Sequence, residues 1–291
     1  MTKTIAALTV LVFLAGLAAE AQQPSGPPVA TKLKDRVYWV KGGNGANTGF
    51  VVGTNGVLVI DAKTTTEACQ AMLAEIRKVT PLPVKTVVLT HSDGDHVNGL
   101  AGFPKGLTII AHENTRKDMQ EAFKDPKLAA LLPYLPTRTI TGNRPVEEMD
   151  GTIRYKFTYS GPAHTSGDLV VFLPAQKIAF IGDLVFVGRD PLIHRQKGGT
   201  SIGLVQVLNN ILTLDADTFI AGHTEPLTKA DIRAALASIQ EKQAKVKALI
   251  QEGKSLDDIK KVLGLAEVPG QPVRRFPNLI EIMYLEQTEK K

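Results

Sequence analysis

Short apolar runs alternate along the chain with segments of helical hydrophobic periodicity, which predicts a mixed α/β protein. The apolar runs are rich in β-branched residues and predict strands at 37–40, 50–52, 57–60, 84–89, 107–111, 152–158, 168–173, 177–181 and 218–221. Apolar residues three or four positions apart predict helices at 64–79, 113–124, 202–214, 255–263 and 277–288, and a long helix that starts at Thr228. Prolines interrupt the segment 126–150, which predicts no defined element, and 184–200 has the composition of a loop.

Residues 1–21 have the pattern of a secretory signal peptide. The start is positively charged, the centre is apolar, and residues 19–21, Ala-Glu-Ala, fit the small-x-small cleavage rule. We therefore expect cleavage after this tripeptide and a periplasmic or secreted product without a membrane anchor. An uncleaved anchor is the alternative, and the short apolar stretch weighs against it. The Pro-rich segment 22–30 predicts a flexible lead-in, and 31–291 a single domain with C-terminal helices.

The composition excludes several classes of function. Lys and Arg number 34 against 29 Asp and Glu, a net charge of +5 without long basic runs, so we expect no nucleic-acid partner. The chain has a single cysteine, Cys69, on one face of the predicted helix 64–79, so a disulfide framework and a cysteine-rich zinc module are both excluded. A small-molecule substrate is the expected partner, and a homodimer stays open.

Four metal-ligand side chains fall within six residues directly after the predicted strand 84–89. The hexapeptide HSDGDH supplies two imidazoles and two carboxylates, from His91, Asp93, Asp95 and His96. Strand ends are where α/β folds place sites, and the central glycine permits a tight turn. Without cations, charged groups packed this closely would be unfavourable in a dry pocket. The hexapeptide therefore predicts a divalent metal site, against the alternative of a solvated polar turn.

Three further metal-ligand side chains follow apolar runs or sharp glycine turns. They are His164 in GPAHTSGD, Asp183 in AFIGDLVF and His223 in FIAGHTEP. The apolar neighbours of Asp183 would make a lone carboxylate costly, so we expect either a metal or a buried ion pair there. Together with the hexapeptide, these segments predict that side chains distant in sequence meet at one site.

This set of segments resembles the metallo-β-lactamase-fold hydrolases, in which His-x-His-x-Asp-His precedes a His, a bridging Asp and a last His. The resemblance covers most of the chain, from about Val37 to the long helix after His223. It implies a four-layer αββα sandwich with the site at one rim. It also implies two divalent metal ions, one held by His91, Asp93 and His164, the other by Asp95, His96 and His223, with Asp183 bridging both.

Asp93 departs from that motif, because it stands where the second histidine should be. An anionic oxygen makes the first metal site harder and more negative than a neutral nitrogen would. Zinc is the expected metal, because His91, His164 and Asp183 still supply a suitable shell. Iron or manganese at the first site is one alternative, and a weakly held or absent first metal is another.

The resemblance implies a metal-dependent hydrolase in which a metal-bound hydroxide cleaves an ester, lactone, amide or related bond. It also implies that Asp95 orients the nucleophile, as the catalytic residue. Three competing hypotheses stay open. They are a diiron-type oxidoreductase, β-lactam hydrolysis as a main or side activity, and a catalytically silent binding protein.

The loop after Asp183 is basic and predicts contacts with an anionic substrate. Arg189 and His194 are the candidates for the substrate-binding residues, and Arg195 and Lys197 lie beside them in sequence. The alternative is a solvated basic loop, because charged loop residues usually face water.

Overall fold

Two β-sheets pack face to face in this protein, with helices covering both outer sides. The structure is a computed structural model that describes residues 26–151, 153–265 and 276–289. The four-layer αββα sandwich that the resemblance implies is therefore confirmed. The predicted signal peptide, residues 22–25 of the predicted lead-in and Thr152 lie outside the described residues.

The first sheet has seven strands in sequence order. They are β1 (Val29–Lys34), β2 (Val37–Lys41), β3 (Thr48–Val52), β4 (Val57–Ile60), β5 (Val84–Val88), β6 (Thr108–His112) and β7 (Arg138–Ile140). Strands β1 to β4 pair antiparallel, and β4 to β7 pair parallel. Because the carboxyl ends of parallel strands meet at one edge, the loops after β4 and β5 lie at the same rim.

The second sheet has five strands in the order β12-β11-β10-β9-β8. They are β8 (Val146–Asp150), β9 (Ile153–Thr158), β10 (Val170–Leu173), β11 (Ile178–Gly182) and β12 (Thr218–Ala221). Neighbouring strands pair antiparallel except for β11 and β12, which are parallel. The parallel pair brings Asp183 and His223, which follow these two strands, to one edge.

Helices form the two outer layers. The described residues form α1 (Thr66–Val79), α2 (Gly94–Val97), α3 (Glu113–Ala122), α4 (Ser201–Thr213), α5 (Lys229–Gln251), α6 (Leu256–Val262) and α7 (Leu279–Thr288). Thr228 begins α5 as predicted, in a capping box with Asp231 in which each side chain accepts the other's backbone N–H. Within the described ranges, no helix combines the length and apolar character needed to cross a bilayer.

Three apolar clusters fill the spaces between the layers. The central cluster joins the two sheets and includes the fully buried Phe157. A second lies between the first sheet and α1 and contains Cys69, whose thiol pKa is raised to about 12 by burial. Such a thiol is inert at neutral pH, which fits the packing role expected from its place on the helix. The third lies under α4, α5 and α7, where Ile232 and Val246 carry the predicted apolar face of α5.

The structure differs from the sequence predictions in three places. Strand β1 begins at Val29, inside the segment 22–30 predicted as a flexible lead-in. It is a largely exposed edge strand, so its pairing with β2 defines it rather than hydrophobic content. Residues 94–97 form α2 where a loop was expected. The segment 126–150 contains a 3-10 turn at Ala129–Tyr134 and the short strands β7 and β8.

Candidate metal centre

Four chain segments place the predicted ligands at one rim of the sandwich. The hexapeptide 91–96 follows β5, and its second half forms α2, which carries Asp95 and His96. His164 lies in the loop between β9 and β10. Asp183 directly follows β11, and one glycine separates His223 from the end of β12.

The seven side chains form two neighbouring groups, within each of which the ligand atoms lie no more than 4.8 Å apart. The first group is His91, Asp93, His164 and Asp183, and the second is Asp95, His96 and His223. Asp183 also faces the second group, because its Oδ1 lies 3.2 Å from His96 Nε2 and its Oδ2 3.1 Å from His223 Nε2. The Asp183 carboxylate therefore lies between the two groups.

His164 shows how the first group is oriented. Its Nδ1 donates to the Leu192 carbonyl oxygen at 2.7 Å, so in a neutral ring the lone pair is on Nε2. That Nε2 lies 3.0 Å from Asp93 Oδ2, and His91 Nε2 lies 3.7 Å from the same oxygen. A lone pair facing a carboxylate at this distance requires either a proton or a cation between them.

His96 repeats this arrangement in the second group. Its Nδ1 lies 2.8 Å from Asp61 Oδ2 and donates to it, which leaves Nε2 to face Asp183. Asp61 is itself held by Thr90, which donates its backbone N–H to Oδ1 at 2.8 Å and its hydroxyl to Oδ2 at 2.9 Å. The ring of His96 is fully buried and fixed in both orientation and tautomer.

The carboxylates raise the pKa values of His96, His164 and His223 against the effect of burial. Burial lowers the pKa of His96, but Asp183 and Asp61 raise it well above the ordinary value. His164 shows the same competition, and Asp93 raises its pKa to about 9. Metal-free, the cluster therefore holds protons at neutral pH.

The pKa values of the carboxylates move in the opposite direction. Burial raises the pKa of Asp183, but the charges of His96 and His223 lower it well below the usual range. His223 in turn has a pKa of about 9, because Asp183 outweighs its burial. These shifts describe a pocket whose electrostatic field retains positive charge.

The donor set fits divalent metal ions. Imidazole nitrogens and carboxylate oxygens are ligands of zinc and related transition metals. His91 Nε2, His96 Nε2 and Asp183 Oδ1 are buried and make no well-aligned hydrogen bond with the described residues, although His96 Nε2 and Asp183 Oδ1 lie 3.2 Å apart. Buried polar atoms normally have partners, so unpaired atoms directed into one cluster mark a cation site.

Gly222 makes room for the carboxylate of Asp183. A Cβ at this position would lie 2.1 Å from Asp183 Oδ1 and 2.9 Å from His96 Cε1. No real Cβ contact is that short, so only glycine lets the backbone before His223 pass this close.

Phe186 and Arg189 form one wall beside His223. The Phe186 ring lies parallel to the His223 ring, at 11° with the centroids 5.7 Å apart. The Arg189 guanidinium lies 4.0 Å above Phe186, in a cation–π contact. Both residues line a cavity of about 530 Å³ between the loop after β11 and α5. Arg189 thus lies near the cluster, and its predicted role in substrate binding stays a prediction.

His194 is not a solvated loop residue, because it lies beside the metal-ligand cluster. Its side chain is buried, and its Nε2 lies 2.8 Å from Asp93 Oδ2. Lys197 donates to Asp93 Oδ1 at 2.7 Å. Arg195 instead pairs with Glu289 at the surface, with 2.6 Å between Nη2 and Oε2. Two of the basic residues of this loop therefore face Asp93, and the substrate role predicted for His194 stays a prediction.

The sequence reasoning did not identify Asp61 or Lys63. Asp61 follows the apolar strand β4 as Asp183 follows β11, so the same signal was present in VLVID. Lys63 is fully buried, and its ammonium donates to the carbonyl oxygens of Gly42 at 2.8 Å and Ala46 at 2.7 Å. No periodicity distinguishes this lysine from the exposed ones. His112 is buried and caps α3, because its Nδ1 accepts from Asn114 N at the start of that helix.

Comparisons with known proteins agree with this architecture. A family model described as the metallo-beta-lactamase superfamily matches residues 42–223. The 2,4-dinitroanisole O-demethylase subunit alpha of Nocardioides sp. (strain JS1661) is 26% identical over 211 residues, 72% of this chain and 61% of that protein. A metallo-beta-lactamase type 2 of Elizabethkingia meningoseptica is 27% identical over 257 residues, 85% of this chain and 99% of that protein.

A third relative matches only in part. The alkyl/aryl-sulfatase BDS1 of Saccharomyces cerevisiae is 37% identical over 83 residues, 28% of this chain and 13% of that protein. The chain therefore spans less than two thirds of the length of both the demethylase subunit and this sulfatase.

Solved structures show the same fold. The inverting sec-alkylsulfatase Pisa1 from Pseudomonas sp. superposes with a TM-score of 0.68 at 17% identity, covering 90% of this chain and 50% of that one. The DIM-1 metallo-beta-lactamase superposes with a TM-score of 0.60 at 20% identity, covering 74% of this chain and 98% of that one.

Proposed function

The chain belongs to the metallo-beta-lactamase superfamily, and on that premise we propose that it is an exported metal-dependent hydrolase. The bond cleaved is an ester, lactone, amide or related bond of a small molecule. One observation carries the proposal: two adjacent groups of buried imidazoles and carboxylates with Asp183 between them and with unpaired ligand atoms directed inward.

Two roles fall to the chain's own residues: coordination of the cations and transfer of a proton. His91, Asp93 and His164 would hold one divalent ion, and Asp95, His96 and His223 the other, with Asp183 close to both groups. Bound divalent ions supply Lewis acidity and make water a nucleophile at neutral pH. Zinc is the metal we propose.

Asp95 is the carboxylate that we propose as the catalytic residue. Its side chain is 20% exposed, whereas that of Asp183 is 5% exposed, so Asp95 is the more open to the solvent side. Its Oδ2 lies 3.2 Å from His223 Nε2, which places the carboxylate at the mouth of the cluster. From there it can accept a proton from the attacking water and orient it toward the substrate.

The cavity lined by Phe186 and Arg189 is the place we propose for the remainder of the substrate. It joins apolar surface with the guanidinium of Arg189, which suits a molecule with an apolar body and an anionic group near Phe186. Asp190, Asp231 and Lys242 also line the cavity. Sulfate esters therefore belong in the substrate screen, and the alkyl- and arylsulfatase names of two relatives give a further reason.

The test is metal analysis of the mature protein together with a screen of chromogenic esters, lactones, β-lactams, sulfate esters and phosphodiesters. We expect about two metal equivalents per chain and turnover of at least one class, abolished by His96→Ala. His112→Asn is the matched control, because asparagine also caps a helix and His112 lies outside both groups. Full turnover in His96→Ala would contradict the proposal.

The diiron alternative gives a different result in the same preparation, because iron sites absorb in the near ultraviolet whereas zinc is colourless. Export is tested separately, by N-terminal sequencing of protein recovered from the periplasm or medium. We expect the mature chain to begin directly after Ala21. A cell-associated product that retains residues 1–21 would overturn this part of the proposal.

A further inference from the structure

Asp93 presents its two carboxylate oxygens to different partners. Oδ1 accepts a hydrogen bond from Lys197 Nζ at 2.7 Å. Oδ2 lies 3.0 Å from His164 Nε2 and 3.7 Å from His91 Nε2, two ligand atoms of the first group. The carboxylate therefore has one oxygen taken by an ammonium and the other directed at the metal-ligand cluster.

Lys197 is positioned by more than its contact with Asp93. Its Nζ also donates to the backbone carbonyl oxygen of Ser92 at 3.2 Å, so the ammonium bridges the main chain and side chain of adjacent residues. Only 26% of the Lys197 side chain is exposed. An ammonium held by two acceptors in a partly buried place fixes the rotamer of the aspartate beside it.

The loop that carries Lys197 is tied by its backbone to the loop that carries His164. His194 N donates to the His164 carbonyl, Ser166 N to the Lys197 carbonyl, and Thr200 N to the Ala163 carbonyl, each at 2.8 Å. A Cβ on Gly199 would lie 2.3 Å from the His164 carbonyl oxygen, so glycine is required for this approach. These contacts make the Lys197–Asp93 pair part of a built site and not a chance surface pair.

The contact between Lys197 and Asp93 also balances charge at the first ligand group. An aspartate in place of a neutral histidine adds one negative charge to the first ligand group. Lys197 adds one positive charge directly behind it, so the charge of the group with its partner equals that of the histidine version. A neutral ligand has been replaced by a carboxylate together with its own counter-cation.

We propose that Lys197 is the positioning residue of the first metal site, which holds Asp93 so that Oδ2 faces the cation and offsets the charge that this aspartate introduces. This role depends on the proposed function in one respect, which is that the chain binds metal. His194 also contacts Oδ2, at 2.8 Å, and is the competing candidate for the residue on which the first site depends.

The test measures zinc binding by competition with a chromophoric chelator, which needs no substrate. Lys197→Met removes the ammonium and keeps much of the aliphatic stem. We expect one of the two zinc equivalents to bind about 10–100-fold more weakly and the other to be unchanged. Arg195→Met is the matched control, because Arg195 lies in the same turn and pairs with Glu289 away from the cluster.

The same lysine substitution is also tested in the Asp93→His variant. In Asp93→His, Lys197 has no carboxylate to hold, so adding Lys197→Met should leave zinc affinity unchanged or increase it. Wild-type affinity in Lys197→Met, or an equal loss in both backgrounds, would overturn the inference and leave the proposed function standing. A loss confined to His194→Gln would assign the role to His194 instead. A wild-type chain that binds no metal would end both proposals.

Discussion

Asp61 Oδ2 lies 2.8 Å from His96 Nδ1, and this contact fixes which nitrogen of this fully buried histidine faces the cluster. Asp61 has a positive φ of 64°, a conformation that aspartate tolerates better than most residues. Its backbone N–H donates to the Val88 carbonyl at 2.9 Å, which ties the end of β4 to the end of β5. The strand ends thus orient a ligand that neither strand carries.

We expect Asp61→Asn to weaken binding at the second metal site by about 10–100-fold, because an amide cannot replace a carboxylate as acceptor for both Thr90 and His96. Chelator competition measures the affinity. Asp215→Asn is the control, because Asp215 is a largely exposed aspartate paired with Lys177 far from the rim. Unchanged affinity in Asp61→Asn would show that the tautomer of His96 is set in another way.

The metal-free protein should lose stability as pH rises from about 6.5 to 9. In the folded state the pKa values of His164 and His223 are raised to about 9 from the ordinary value of 6.5. Their contribution to the free energy of unfolding is therefore complete below pH 6.5 and disappears as pH passes 9. The slope is at most about 1.4 kcal/mol per pH unit for each histidine.

Urea unfolding of chelator-treated protein at a series of pH values measures this effect. Zinc-loaded protein should not show the same decline, because the metal replaces the protons and binds more tightly as they leave. A flat profile for the metal-free protein across this range would contradict the raised pKa values.

Lys63 offers a pH effect of the opposite sign. Burial lowers its pKa from 10.5 to about 8. The unfolded chain therefore binds more protons between these values, so this residue's contribution to stability increases with pH across that window, by up to about 1.4 kcal/mol per unit. Lys63→Met leaves the carbonyls of Gly42 and Ala46 without their donor and should cost about 1–3 kcal/mol at pH 7.

Urea unfolding of wild type and Lys63→Met from pH 7 to 10 measures the difference in free energy, which should widen above pH 8 in favour of wild type. Lys105→Met, at an exposed position, should show no such trend. A constant difference would mean that Lys63 titrates normally in spite of its burial.

Zinc should stabilise the chelator-treated protein measurably, because cations bind the folded state and the ligand arrangement is lost on unfolding. At a free zinc concentration 100 times the dissociation constant, the gain is about 2.7 kcal/mol per site. A thermal melt with zinc titrated in, and magnesium as the control ion, measures the shift. Equal shifts with both ions would argue against an imidazole-rich site.

The sequence predicts most element positions, because apolar periodicity and strand-end signals are local, whereas the layer order follows only from the family resemblance. It also predicts which histidines and aspartates gather at one rim, since His164, Asp183 and His223 each follow a strand or a turn. The environment of Asp93 is different. Its counter-cation is Lys197, 104 positions away, and no local pattern distinguishes that lysine from its loop neighbours.

The same limit changes the expectation for Asp93→His. The sequence alone favours a harmless exchange, because histidine is the usual residue at that position of the motif. The structure shows an ammonium 2.7 Å from the carboxylate that would be removed. A histidine there would leave this ammonium with only the Ser92 carbonyl as acceptor, beside a bound cation, so the exchange should be tolerated at least as well with Lys197→Met as without it.

The first half of the sandwich carries residues 91–96, whereas His164, Asp183 and His223 belong to the second half. Cations held between them would therefore bind the two halves of the sandwich to each other. In an environment poor in metal and rich in proteases, loss of the ions would then make the chain more susceptible to proteolysis, in addition to abolishing turnover. The amount of this protein would then depend on the zinc concentration of the compartment that it occupies.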